Sequence, residues 1–292
     1  MTVIIGDKGS LRVYKANTIA EFIQKLSYIN SSNRLYFRGL SNCIYDLSPS
    51  INRKIEDSDN TWLKKESRLV EFAEQSIPEL FSNNLPTLLL SNMQHYGIPT
   101  RMLDVTENAL VALYFACQHS DTMGEVDIFE GIPVSAYNPY ANVIADTYRL
   151  TNNKIMSFDD YRYLIYSQSY TSSILYPNWD KDIRVDKENE LLEHISKPMI
   201  VDVGTINLRQ RNQTGKFIII PNLVDKTIIS NEMVSISKAD DIVKAVITIP
   251  GESKSKIIEQ LGYLGITQSF VYPDDVNIVF EGIKQKLQSE SI

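Results

Sequence analysis

Nothing constrains this chain more than the run Ala109-Leu110-Val111-Ala112-Leu113-Tyr114-Phe115-Ala116-Cys117, which is apolar at every position. A helix that is apolar all round belongs inside a domain, so the rest of the chain has to cover it. The pattern predicts a helix from Asp104 to Cys117, with Asp104 or Thr106 as N-cap and Glu107 three residues after Asp104. The approach to it, Gln94-His95-Tyr96-Gly97-Ile98-Pro99-Thr100-Arg101, is polar and carries Gly and Pro, so it reads as a turn or a short strand approach. His95, Tyr96, Thr100, Arg101 and Asp104 are then delivered together at the N-terminal end of a core helix. Free N–H groups and the positive end of the dipole at that end suit an anionic ligand. The plainer alternative is a well-capped core helix whose polar residues only tie down the entering loop.

Around this centre the periodicities place further elements. Thr18 and Glu21 form a capping box, and Ile19, Phe22, Ile23 and Leu26 follow at helical spacing to about Tyr28. Asn30 to Asn33 is a turn feeding a strand from Leu35 to Arg38. Trp62, Leu63, Leu69, Val70, Ala73, Ile77, Leu80 and Phe81 make an amphipathic helix before Pro86, and 85–91 leads into the central stretch. Residues 125–130, 199–203, 216–220 and 243–249 read as strands. Helices are expected over 252–261 and 274–287. The Tyr-, Asn- and Ser-rich stretch of about 137–195 reads as an insertion with short helices lying over the core. No internal repeat or low-complexity linker interrupts the chain, which favours a single α+β domain over 1–292 with its core at about 34–286.

Composition narrows the function classes. With 29 Lys and Arg against 36 Asp and Glu, the net charge of −7 does not advertise sequence-independent nucleic-acid binding, although a local basic groove remains open. No apolar run approaches the roughly 18 residues of a membrane span. The first residues, MTVIIGDKGS, lack the basic start and long apolar region of a signal peptide, so a cytoplasmic protein with no membrane partner is expected. His95, His119 and His194 are far apart, and Cys43 and Cys117 form no paired motif, so no metal is expected. There is no GxSxG, P-loop or GxGxxG pattern. Cys117 lies in an apolar helix, where a thiol is inert, and Cys43 reads better as a bystander than as a nucleophile.

A second stretch changes the reading. Leu35-Tyr36-Phe37-Arg38-Gly39-Leu40 is an aromatic strand ending in Arg-Gly, and Tyr45 to Ile51 follows it. Together with His95, Pro99-Thr100-Arg101, Leu103-Asp104, Thr106-Glu107-Asn108 and Ala112 to Ala116, it resembles the FRG domain family, named for its Phe-Arg-Gly triplet. Gln213-x-Gly215-x-Phe217 and Leu264-Gly265-Ile266, running on to Tyr272-Pro273-Asp274, fit as well. The central motif is long and specific, and the other pieces are short.

The chain is also similar in outline to ADP-ribosyltransferases of the arginine type. That resemblance implies a mixed or antiparallel sheet core with flanking helices, and NAD as substrate. It further implies a macromolecular acceptor, RNA or protein, and a toxin of the toxin–antitoxin or phage-defence kind with a neutralising antitoxin partner. Arg38, His95, Thr100 and Gln213 take catalytic places under it. Arg38, Gly39, Tyr96, Thr100, Arg101 and Asp104 take NAD-binding ones. A guanidinium can clamp a pyrophosphate bidentately. The glutamate that stabilises an oxocarbenium-like transition state in that class is replaced by Gln213. The amide can read a ribose hydroxyl but stabilises positive charge less well. Glu107, Glu190 or Glu193 could supply the carboxylate from elsewhere. The alternative function is a non-catalytic nucleotide- or protein-binding module using the same pocket.

The residues themselves leave plainer roles open. Arg38 could pair with Asp46 or Asp104, Arg101 with Asp104, and 209–215 could be a surface loop. If that run is extended, Arg209, Arg211 and Gln213 share one face. Gln213 is then expected to point into the Arg38–Thr100 pocket and to matter more than Gln210.

Overall fold

The computed structural model describes residues 2–6, 9–55, 60–81, 85–119, 122–171, 181–205, 207–238 and 240–273; the helix expected over 274–287 lies outside them. The architecture is α+β. Strands β1 (Thr2–Gly6), β2 (Gly9–Lys15), β3 (Arg34–Leu40), β4 (Met102–Thr106), β5 (Gly124–Gly131), β6 (Val134–Ser135), β8 (Met199–Asp202), β9 (Gly215–Ile219) and β12 (Val243–Ile249) make one mixed sheet. Its order is β1-β2-β12-β5-β3-β4-β9-β8-β6. Neighbours are antiparallel except β2–β12 and β6–β8. Strands β7 (Met156–Ser157), β10 (Asn222–Val224) and β11 (Ile228–Met233) form a small second sheet.

Two residues separate β5 from β6, yet β6 pairs with β8 at the far edge. The ladder β5-β3-β4-β9-β8 therefore curls back on itself. Its concave face holds Tyr36, Leu40, Leu103, Val105, Phe129, Ile200, Ile218 and Val246, closed over by Leu47, Ile51 and Leu63.

The opposite face carries the apolar run. Helix α5 (Ala109–Ala116) is buried at Val111, Ala112, Leu113, Tyr114 and Ala116, and packs with Phe37, Val126, Ile128, Ile247, Ile257 and Leu261. Helices α1 (Ile19–Leu26) and 251–263 complete this layer. The Thr18 cap on α1 forms as its sequence predicts, with the hydroxyl accepting from the Glu21 amide at 3.1 Å.

The approach of α5 to the sheet is very close. A Cβ on Gly39 would lie 1.9 Å from the Ala112 carbonyl oxygen, and one on Gly124 2.0 Å from that of Ala116. The resemblance gives Gly39 an NAD-binding place, but the space where its Cβ would lie is taken by the α5 backbone. Lys254, wholly buried, ties the far end of this layer by donating to the carbonyls of Ser41 (2.7 Å), His119 (2.8 Å) and Gln118 (3.1 Å).

Several boundaries differ from those read in the sequence. Residues 102–106 are strand β4, not the first turn of the helix, because Leu103 and Val105 fill the concave core and pair with β9. The N-cap is Asn108, whose side chain accepts from Leu110 N and Val111 N. Residues 208–213 are a helix, not an extended run, capped by Asn207 and ended by Thr214 at φ 49°. The long helix over 62–81 is broken into a 3-10 turn, α2 (Glu66–Ser76) and α3 (Pro78–Phe81), and 86–95 is a further helix, α4, with Pro86 at its start. The β1–β2 pair extends the sheet beyond the expected start of the core. The middle stretch forms short helices that pack on the sheet, as expected: Ala141, Val143, Ile144, Tyr148, Phe158, Tyr161 and Ile165 share a core with α2, α4 and the sheet residues Met102, Val201, Phe217 and Ile219.

Candidate functional site

The triplet Phe37-Arg38-Gly39 sits where the sheet comes apart. β3 pairs with β4 at one position only, Phe37 with Thr106, whereas it runs beside β5 over seven. Alternation along β3 turns Phe37 and Gly39 to α5 and Arg38 to the other face. Beyond the Phe37–Thr106 pair the Arg38 guanidinium spans the split, Nη1 donating to the Asp104 carbonyl at 2.6 Å. A side chain there replaces a ladder hydrogen bond, which leaves a gap between strands with polar walls.

That gap is a cleft of about 250 Å³ lined by Phe37, Arg38 and Gly39 of β3; Asp104, Val105 and Thr106 of β4; Ser91, Gln94 and His95 of α4; Phe115; Asn207, Arg209, Gln210 and Gln213; and Gly215, Lys216 and Phe217 of β9. Within it Gln94 is held at both ends. Thr100 Oγ1 donates to its Oε1 at 2.6 Å, and its Nε2 donates to Asp104 Oδ2 at 2.9 Å. Asp104 Oδ2 is 4.0 Å from Arg38 Nη1. Lys216 pairs with Asp202 at 2.8 Å, and the Arg209 guanidinium lies 5.0 Å over the Tyr272 ring. Gln213 Nε2 donates to the Val271 carbonyl at 2.9 Å, and the Gln213 carbonyl accepts from the Thr106 hydroxyl. Arg38, Arg209 and Lys216 line the cleft against one lining carboxylate, Asp104. In a chain of net charge −7, that is a local cationic site.

Arg38 is held in a poor environment for a charge. Its side chain is 14% exposed, and burial pulls its pKa below the ordinary arginine value, with Asp104 opposing the shift. Its Nε–H is buried without a hydrogen-bond partner. A guanidinium with an unspent donor at the wall of a cleft is poised to take an oxyanion.

Residues 33–124 match the FRG domain family. No curated protein and no solved structure matches the chain. The FRG segment runs from the turn before β3 to the start of β5, so it contains Arg38, the Gln94–Asp104 stretch and α5. The wall formed by 207–217 lies outside it.

The structure sorts the expected site residues into groups. Arg38, Gly39, His95, Asp104 and Gln213 line the cleft. Thr100 does not; it is fully buried and braces Gln94 from behind. Tyr96 does not line it either, being half exposed with its ring edge-on to Phe81 and His95. Arg101 points away altogether. Its guanidinium is buried against Glu66, Nε to Oε1 at 2.8 Å and Nη2 to Oε2 at 2.5 Å, with Nη1 to Asn222 Oδ1 at 2.8 Å. Burial works against its charge, and Glu66 more than offsets it, raising the Arg101 pKa.

Strand alternation explains the reversal. With 102–106 a strand, Arg101 and Asp104 cannot form the internal pair that a helical turn would allow. The N-terminus of α5, expected to face an anion, is satisfied by Asn108, and of the helix only Phe115 reaches the cleft.

Of the carboxylates considered as substitutes for the missing glutamate, none lines the cleft. Glu107 pairs with Arg34, Glu190 accepts from Tyr140, and Glu193 pairs with Lys197. Arg209 and Gln213 share a face of the 208–213 helix at a spacing of four, so both line the cleft although Arg211 does not. Gln210 lines it too and is the more buried of the two glutamines, so position alone gives Gln213 no priority.

Sequence reading gave neither Gln94 nor Lys216 a place in the site. Gln94 and Lys216 carried no signal beyond being polar beside the right motifs. Burial lifts the Cys117 thiol to about 12, in line with an inert role. Among the described residues no three His, Cys, Asp or Glu side chains gather as a metal site would need, and no helix is long and apolar enough to cross a membrane.

Proposed function

We propose that the cleft binds the pyrophosphate of NAD and that the protein transfers ADP-ribose to a macromolecule, RNA or protein. The observation that carries this reading is Arg38, enclosed in a cation-lined cleft with its Nε–H unspent. Arg38 and Arg209 would hold the phosphates, and the amides of Gln210 and Gln213 would read ribose or nicotinamide hydrogen-bonding groups. In the reaction the bond from ribose C1′ to the nicotinamide nitrogen breaks, an acceptor nucleophile bonds to C1′ and gives up its proton to solvent, and neutral nicotinamide leaves. Asp104 is the carboxylate available to stabilise the positive charge that develops. The setting of a toxin with a neutralising antitoxin follows from the family resemblance, and belongs to the same proposal.

A non-catalytic nucleotide-binding module is the second reading. It is favoured by the lack of a glutamate among the described lining residues, and by Gln94, which already engages the Asp104 carboxylate. Nicotinamide release decides between them. The protein incubated with NAD and cell lysate should liberate nicotinamide, and an Arg38→Ala protein should not. Binding of NAD without release would establish the module.

A further inference from the structure

Among the described residues, four buried side-chain polar atoms have no hydrogen-bond partner: Tyr36 Oη, Arg38 Nε, and both carboxylate oxygens of Asp127. All four lie on one face of β3 and β5. The register sets Asp127 directly across from Arg38, and Tyr36 is two residues back on the same face. Folded proteins leave few such groups, so the collection of three of them at one cross-strand pair behind the cleft calls for a role.

Asp127 is wholly buried. The charged and titratable groups around it are Arg38 and Tyr36 from β3, Glu125 from its own strand, and Lys238, which pairs with Glu125. Arg53 acts on Arg38 from the loop after β3. From β12 and β2 the facing residues are Val246 and Val13, with Thr248 and Lys15 beyond them opposite Glu125.

We infer that Asp127 is a positioning residue for Arg38: its carboxylate draws the guanidinium back from the cleft, and its protonated form releases the guanidinium to an anion. The inference rests on the anion-binding reading of the cleft. Arg38 has an anionic neighbour on each side, Asp104 in front and Asp127 behind, and Nη1 is already spent on the Asp104 carbonyl. An anion that takes the remaining donors competes with Asp127 for the same charge, so binding would be accompanied by uptake of up to one proton from solvent. Burial first, and the charge of Glu125 second, raise the Asp127 pKa to about 7, with Lys238 and Arg38 opposing, so the exchange falls near neutrality.

The test follows the Arg38 Nε–H resonance by nitrogen-15 NMR from about pH 5.5 to about pH 8.5 in the ligand-free protein, a window that brackets the expected transition. Wild type should show an inflection near neutrality. It should survive His95→Gln, which removes the cleft's imidazole, and vanish in Asp127→Asn. A flat wild-type titration, or an inflection that persists in Asp127→Asn, overturns the inference. A flat wild-type titration overturns it even if a variant does not fold.

With NAD as probe, whose diphosphate diester keeps its charge over this range, affinity should rise about tenfold from pH 8 to pH 6 in wild type, which is about one pKa unit's worth of linkage, and stay flat in Asp127→Asn. An intact inflection with no NAD binding at any pH would overturn the anion reading of the cleft and not the coupling of Asp127 to Arg38.

Discussion

Arg38 and Arg101 come from the two most distinctive stretches of the sequence, and both are enclosed, yet they sit in opposite conditions. Arg101 is paired and closed off. Glu66 takes it bidentately, Nη1 donates to Asn222 and the Ile220 carbonyl, and the side chain is out of a ligand's reach. Arg38 has one good hydrogen bond, to a backbone carbonyl, and a buried Nε–H with none. A motif arginine that is paired and enclosed inside the protein is part of the fold. One whose donors are withheld is available for binding.

The comparison is sharpened first at Gly39, the residue that fixes where Arg38 sits. A methyl group there meets the α5 backbone, which cannot move without dragging the core helix. Gly39→Ala should therefore cost more than about 4 kcal/mol, or the fold itself, read as loss of a cooperative thermal transition. A Gly39→Ala protein with near-wild-type stability would mean that α5 is not packed as described.

Arg101→Ala should come next, at about 3–5 kcal/mol by denaturant unfolding, because it leaves the Glu66 carboxylate buried and unpaired. Replacing both partners by apolar residues, Arg101→Met with Glu66→Leu, should recover most of that loss, and anion binding in the cleft should be unaffected. A stable single variant that no longer bound anions would reverse the roles given to the two arginines.

Asp127→Asn is expected to act in the other direction. The folded pKa of Asp127 is raised to about 7, far above the ordinary aspartate value of an unfolded chain. The folded protein therefore binds this proton more tightly, and stability falls as pH rises between those two values. At about pH 8 the asparagine variant should be more stable than wild type by about 2 kcal/mol, and the difference should vanish at about pH 4. A variant less stable than wild type at the higher pH would contradict the account of this carboxyl.

Arg38→Ala should do least to stability, about 1 kcal/mol, since one hydrogen bond to a carbonyl is lost and a poorly solvated charge is removed with it. A loss as large as that for Arg101→Ala would place Arg38 among the structural residues.

Much of this was legible in the sequence, for identifiable reasons. An all-apolar run can be satisfied in few ways, so the buried α5 followed directly. The triplet at 37–39 and the polar stretch at 94–104 marked the cleft's two walls. The rest depended on register. Whether 102–106 opens the helix or pairs with β9 decides which way Arg101 and Asp104 point. That choice is made by where Leu103 and Val105 find apolar partners, among them Ile218, more than a hundred residues away. The helix at 208–213 was hidden for a similar reason. Its polar residues carry no apolar period, and its position is set by caps at Asn207 and Thr214 and by bonds from Asn212 and Gln213 to the 270–271 carbonyls. Asp127 gave no signal at all, because its significance lies in the residue across the strand.

The central claim is that Arg38 is withheld from the fold in order to hold an anionic nucleotide. Calorimetric titration of NAD into wild type, Arg38→Ala and the paired Arg101→Met, Glu66→Leu protein tests it most directly. The account predicts binding by wild type and the paired variant, and a loss of at least about tenfold, 1.4 kcal/mol, in Arg38→Ala with its thermal transition intact. Equal affinity in wild type and folded Arg38→Ala, or no binding by wild type, would contradict it.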